Sequence, residues 1–340
     1  MTGEMRPEQA QRPGARTHPS LPWFRLARFG MFVHWGLYAL AAGRWRGTTV
    51  PGIGEWIMCH ARIPATEYAT LAARFDPKHF DPQAWVALAK RAGQRYVVLT
   101  AKHHDGFCLW HTKLTGYNTV DATPFGRDVV AEVADECRRQ GMPFGVYYSQ
   151  TQDWHHPDGD GNDWDYAEAG KDFDGYVEHY VKPQVRELLT GYGPLCVVWF
   201  DTPRRITRRQ SQELVDLVHE LQPGCLVNGR IGNGLGDYAT ATDNHLPDDV
   251  VDGDWETPVS INNTWGYRSD DHDWKSAAQL ISTLAMAASR GGNVLLNVGP
   301  DGDGRIPEPS ARRLDEVGRW LAEHPAGADG TDSATAVQRG

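Results

Sequence analysis

The chain predicts an α/β fold, a single-domain (β/α)8-like barrel. Three observations carry that expectation. Short apolar runs of strand length alternate with amphipathic helical stretches along most of the chain, as in a parallel sheet covered by helices. The runs are apolar at successive positions, as strands buried on both faces are. Several end on His, Tyr, Asp or Arg, and a barrel gathers such polar tips at the carboxyl ends of its strands, where active sites form. An open doubly wound sheet is the competing arrangement, but no Gly-rich phosphate loop opens the first helix.

The first strand is Arg28–Trp35, with His34 near its end. Gly43 to Glu55 is a loop leading to Trp56, and Ala65–Phe75 has helical spacing. Asp81–Pro82 is a helix start, a capping Asp followed by Pro at the first helical position, and that helix stops at Gly93. Arg95–Ala101 is the next strand and runs into His103-His104-Asp105-Gly106. A helix over Asp128–Gln140 leads to the strand Pro143–Tyr148, and a long helix over Phe173–Leu189 leads to Leu195–Asp201. That last run, Leu-Cys-Val-Val-Trp-Phe-Asp, ends an apolar strand on a carboxylate. An unpaired Asp is costly inside a core, so Asp201 belongs at the strand's end, facing a cavity. Ser211–Leu221 is helical, Cys225–Arg230 is a strand tipped by Arg230, and Trp255-Glu256 begins a further short strand. Asp273–Arg290 is a helix, Asn293–Val298 a strand and Pro309–Ala322 a final helix. Six or seven strands are legible, so the barrel is expected to be imperfect.

Composition narrows the function classes. The 34 Lys and Arg against 44 Asp and Glu leave a net charge of −10, which argues against nucleic acid or an anionic membrane as partner. No window is long and apolar enough to span a bilayer. Five Cys without a CxxC pair predict buried free thiols in a reducing compartment. Residues 1–20 and 325–340 are small, polar and rich in Pro, Gly or Arg and read as a disordered lead and tail around a domain spanning 21–324. The lead lacks the apolar core of a signal peptide, so a cytoplasmic location is expected. Thirteen Trp, twelve Tyr and fourteen His suit either a large core or a sugar site.

His34, His103, His104, Tyr148, Trp199, Asp201, Arg230 and Glu256 all fall near predicted strand ends. In a barrel they would face one mouth. His103 and His104 admit three readings: metal ligands, a structural pair, or hydrogen-bond partners of a neutral polar substrate. Adjacent strand residues point to opposite sides, and no HxH or HExxH accompanies them. Asp301-Gly-Asp-Gly304 echoes a calcium loop but lacks its terminal Glu and reads as a turn.

These blocks also carry a resemblance. Phe29-Gly-Met-Phe-Val-His-Trp-Gly36, Ala101-Lys-His-His-Asp-Gly-Phe107, Val198-Trp-Phe-Asp201, Trp255-Glu256, Thr264-Trp-Gly-Tyr267 and Gly292-Asn-Val-Leu-Leu-Asn-Val-Gly-Pro300 resemble the α-L-fucosidases of glycoside hydrolase family 29, in order from about residue 23 to 323. The resemblance implies a retaining exo-glycosidase on a (β/α)8-like barrel that needs no metal or other cofactor and acts on fucosylated glycans or glycosides. It implies Asp201 as nucleophile. The implied fucose-binding residues are His34, Glu55, Trp56, His103, His104, Tyr148, Trp199, Arg230 and, beside the sugar's methyl group, Trp265.

The chain departs from the family's pattern in two places. Where relatives often carry Gly-Asp-aromatic-x-Thr-Pro-Glu, this chain reads Gly236-Asp-Tyr-Ala-Thr-Ala-Thr-Asp243. The acid/base is therefore Asp243 or Glu256. Many relatives also continue into a C-terminal β-sandwich, whereas this chain stops soon after the last barrel helix, so any contribution of that domain is missing or comes from a partner subunit. Self-association is compatible with this reading. A fucose-binding protein with a degraded acid/base loop and a metal-dependent barrel hydrolase are the competing functions. Linkage preference and the balance of hydrolysis against transfer are set by loops that the sequence does not make readable.

Overall fold

The structure is a computed structural model and describes residues 17–248 and 251–324. Eight parallel strands form the sheet: β1 Phe29–Val33, β2 Val97–Lys102, β3 Phe144–Ser149, β4 Val197–Asp201, β5 Leu226–Val227, β6 Ala239–Thr240, β7 Trp255–Ser260 and β8 Asn293–Val298. Their order in the sheet is β5-β4-β3-β2-β1-β8-β7-β6. The two edges, β5 and β6, are joined by a bridge between Asn228 and Tyr238, beside which the Asp237 N–H donates to the Val227 carbonyl at 2.7 Å, and this closes the sheet into a (β/α)8-like barrel. Gly236, with φ of 116°, makes this closure possible: a Cβ there would lie 2.7 Å from the Asn228 carbonyl oxygen.

Most connections carry the helices that the spacing predicts, and their ends follow from local chemistry. Asp81 caps the helix Pro82–Arg91 by accepting from the Ala84 N–H at 3.0 Å. Asp128 does the same for Val129–Gln140, which Gly141 terminates in the left-handed region. Thr207 with Gln210, and Ser276 with Gln279, form reciprocal capping boxes at the starts of Arg208–Leu221 and Ala277–Ser289. Two expected helices are less regular. Ala65–Phe75 divides into a short α-helix, Ala65–Tyr68, and a 3-10 turn, Ala69–Arg74. The long helix passes through a π-turn, Val177–Val181, just before Pro183, whose missing N–H cannot continue an α ladder. Only a 3-10 turn, Gly229–Ile231, lies between β5 and β6, and no helix joins β6 to β7 among the described residues. The expected imperfection of the barrel lies here.

Side-chain alternation sorts the core into two parts. Phe32, Tyr96, Val98, Tyr147, Val197, Trp199, Leu226, Tyr238 and Leu295 fill the barrel, and the helix Leu21–Ala27 closes its amino-terminal end with Leu21 and Phe24. Phe24 stacks on Tyr238 with ring centres 4.3 Å apart. The larger cluster lies between strands and outer helices. His18 and Ser20, expected within the disordered lead, are placed: His18 is buried, and the Ser20 hydroxyl donates to the Gly224 carbonyl at 2.7 Å. The rest of that lead, residues 1–16, and the tail, 325–340, lie outside the described residues. All five cysteines are free, with Cys108, Cys137 and Cys225 buried and Cys59 and Cys196 partly exposed. No described helix is long and apolar enough to cross a membrane.

Candidate active site

A cavity of about 450 Å³ opens at the carboxyl ends of the strands. It is lined by ten of the residues singled out from sequence: His34, Glu55, Trp56, His103, His104, Trp199, Asp201, Arg230, Asp243 and Trp265. Two others are elsewhere. Tyr148 points out of the barrel, where its hydroxyl donates to Gln184 at 2.7 Å, and the cavity is lined instead by its neighbour Tyr147. Successive strand residues face opposite sides, and the phase of β3 puts Tyr147 inside. Glu256 is not a strand tip. It is the second residue of β7, fully buried in the barrel, where it accepts from Trp199 Nε1 at 2.8 Å, from Tyr238 at 3.3 Å and from Tyr96. Gly30 leaves room for the Tyr96 ring that reaches it. This placement sets Glu256 apart from the cavity that Asp201 and Asp243 line. It anchors the indole of Trp199, whose ring lines the cavity. Replacing Glu256 by Gln sets an amide N–H₂ against these donors, and a thermal melt should register a loss of about 1–3 kcal/mol.

Asp201 ends β4, and two side chains hold its carboxylate. Arg230 Nη1 donates to its Oδ1 at 2.9 Å, the Tyr147 hydroxyl donates to its Oδ2 at 2.9 Å, and His104 Nε2 stands 3.7 Å from Oδ2. Its own N–H donates to Gln150 Oε1 at 2.8 Å. Burial pushes the carboxyl pKa up, but Arg230, His104 and the Tyr147 hydroxyl outweigh it and hold it below the ordinary Asp value. Arg230 lies on the turn after β5. Its other terminal nitrogen contacts Asp243 and the Ala241 carbonyl, the latter at 3.2 Å, and its guanidinium sits 5.0 Å from the Trp199 ring centre. One guanidinium thus holds two carboxylates. They differ in access: the Asp201 side chain is 11% exposed and that of Asp243 42%.

Thr202, directly after Asp201, has φ of 46°, a conformation a β-branched residue rarely adopts. It turns the chain sharply into the cavity wall, and its carbonyl accepts from the Thr151 hydroxyl at 2.7 Å. Besides Tyr147, which shares its strand end with Tyr148, the wall includes Phe32, Gln152, Thr202 and Arg204, none of which ends a recognisable run in the sequence.

The three histidines are neutral at pH 7. Burial lowers the pKa of His34 to about 3 and of His104 to about 4, and takes His103 well below the ordinary value. Asn297 donates its amide N–H to the Trp265 carbonyl at 2.8 Å, so its Oδ1 accepts from His34 Nδ1 at 2.7 Å. That fixes the tautomer and leaves His34 Nε2 as an acceptor. The Ser149 hydroxyl donates to the Gln152 carbonyl at 2.7 Å and so accepts from His104 Nδ1 at 2.6 Å. His103 Nδ1 is buried without a partner among the described residues, and its ring stacks on Tyr147 at 5.1 Å. Neither His103 nor His104 meets two further ligand atoms at coordinating distance among the described residues.

Glu55 accepts from the Gly266 N–H at 2.8 Å through Oε2, while Oε1 is buried without a partner. Burial raises its pKa to about 7 against the opposing hydrogen bonds. A carboxyl whose folded pKa exceeds its unfolded value of 4.5 binds more protons when folded, so stability falls as pH rises from about 4.5 to about 7. Melting at several pH values should show that fall. Glu55→Gln should shrink it, leaving the part due to Asp105, which burial also raises to about 7.

Unpaired acceptors on neutral imidazoles, aromatic faces and two carboxyl groups of unequal exposure suit a neutral polyhydroxy ring rather than a charged ligand. At the mouth of a parallel barrel they define a glycoside hydrolase. The family model described as Alpha-L-fucosidase matches residues 5–325. Tissue alpha-L-fucosidase of Bos taurus is 32% identical over 335 residues, covering 91% of this chain and 69% of that protein. Among solved structures, the alpha-L-fucosidase AlfC from Lactobacillus casei in complex with its alpha-L-fucose product is 40% identical with a TM-score of 0.86, covering 90% of this chain and 99% of AlfC. An alpha-L-fucosidase from a Vibrio species is 38% identical with a TM-score of 0.88, over 92% of this chain and 57% of that one. The chain belongs to the α-L-fucosidase family.

Proposed function

We propose that the enzyme is a retaining exo-α-L-fucosidase in which Asp201 is the nucleophile and Asp243 the acid/base. The observation that carries this reading is the single Arg230 guanidinium shared by the two carboxylates. A shared guanidinium favours the short spacing of retaining enzymes, about 5–5.5 Å, over the wider gap that an inverting enzyme leaves for water. The difference in access supports the division of labour. Asp201, buried and fixed by Arg230 and Tyr147, is suited to attack the anomeric carbon. Asp243, at the rim, is suited to reach the departing oxygen and later to activate water. His34, His103, His104 and Glu55 would take the ring hydroxyls, Trp265 would pack against the methyl group, and Trp56 and Trp199 would wall the ring. The substrate is a terminal α-L-fucosyl residue of a glycan or glycoside, and the location is cytoplasmic. AlfC has been crystallised with Fuca(1,6)GlcNAc, which makes that disaccharide the first natural linkage to test. Proton NMR of the earliest product decides the stereochemistry. Retention yields α-L-fucose first, and β-L-fucose as the first anomer would overturn the double displacement.

A further inference from the structure

At the opposite end of the barrel from the cavity, three side chains from separate parts of the chain converge. His18 precedes the helix Leu21–Ala27, His219 lies in the last turn of Arg208–Leu221, and Asp237 lies two residues before β6. A ligand atom from each lies within 4.8 Å of the others. His219 Nε2 is 3.0 Å from Asp237 Oδ2, and the two imidazole centres are 5.0 Å apart. His18 is buried, and its Nε2 makes no well-formed hydrogen bond among the described residues, the Pro223 backbone being its only polar neighbour besides the site itself. An orphaned buried ring nitrogen is costly unless something fills the space before it.

We propose that His18, His219 and Asp237 form a binding site for one divalent zinc ion, separate from the active site. Two imidazoles and one carboxylate are a zinc donor set, with water as the fourth ligand. Coordination requires neutral rings. Binding through Nε2 moves each ring proton to Nδ1, so no proton is lost. At His18 the long contact from the Ser20 N–H to Nδ1, 3.2 Å, is given up. Asp237 keeps its acceptance from the Val227 N–H at 2.7 Å. The ion would therefore fasten three elements beside the Asn228–Tyr238 bridge that closes the barrel.

The test uses the full chain, stripped with EDTA and dialysed against micromolar zinc chloride. Metal content, melting temperature and fucoside hydrolysis are measured for wild type, His18→Asn and His219→Gln. The expected result is one zinc per chain and a melting temperature raised by several degrees in wild type. Both effects should be lost in each variant, with hydrolysis unchanged. Three results overturn the proposal: wild type retains no zinc, the variants retain as much as wild type, or bound zinc inhibits hydrolysis and is displaced by L-fucose. If His219→Gln fails to fold, His18→Asn decides alone, because His18 lies ahead of every barrel strand and helix.

Discussion

Asp201→Ala is expected to lower kcat/KM on a nitrophenyl α-L-fucoside by roughly 10⁴-fold or more, the scale seen when a covalent nucleophile is removed. The substitution removes the attacking oxygen and also leaves the Tyr147 hydroxyl and one arm of Arg230 without their acceptor. Lost activity alone does not separate these effects, so the informative measurement adds azide. In the space vacated by the carboxylate, azide attacks from the nucleophile's side and inverts the centre. The product should be β-fucosyl azide, with activity partly restored. Rescue that yields the α-anomer would place the nucleophile elsewhere.

Asp243→Ala is expected to act unevenly across substrates. General acid catalysis contributes about 10²–10⁴-fold, and that loss should fall on Fuca(1,6)GlcNAc, whose sugar leaving group must be protonated. A nitrophenolate departs without help, so the first step on the aryl substrate should be little affected while hydrolysis of the fucosyl-enzyme slows. Stopped-flow mixing should then show a burst of nitrophenol. Azide, replacing the activated water, should give α-fucosyl azide with retention. Equal losses on both substrates would indicate that Asp243 only positions Arg230.

The strands that carry the site were legible where chemistry and position coincide. Leu195–Asp201 announces itself because an apolar run ending in Asp has few places to put the charge, and β4 ends on that residue. His34 and His103 were found in the same way, just past β1 and β2. Tyr147 and Tyr148 were not separable. Every residue of β3 is buried, so polarity does not reveal which parity faces inward. Glu256 was counted among the strand tips although Trp255-Glu256 reads as the start of a short strand, because Pro258 hides how far that strand runs. β7 begins there, so the Glu lies deep in the barrel rather than at its mouth. At two residues, β5 and β6 are too short to show any period. Asp243 was reachable only through the resemblance; its pairing with Arg230 is a property of the folded chain.

The Asn228–Tyr238 bridge also bears on how this enzyme loses function when warmed. Arg230 follows β5 and Asp243 follows β6, so the two lie on opposite sides of that joint. A barrel latched by so little opens there locally before it unfolds as a whole. Each such opening parts the guanidinium from Asp243 while the rest of the sheet stays paired. Heat inactivation should therefore begin below the calorimetric transition and reverse on cooling, and the amide of Asp237, which donates to the Val227 carbonyl across the joint, should exchange with solvent ahead of those in β1 and β8. An inactivation curve that coincides with global melting would mean that the joint is as firm as the rest.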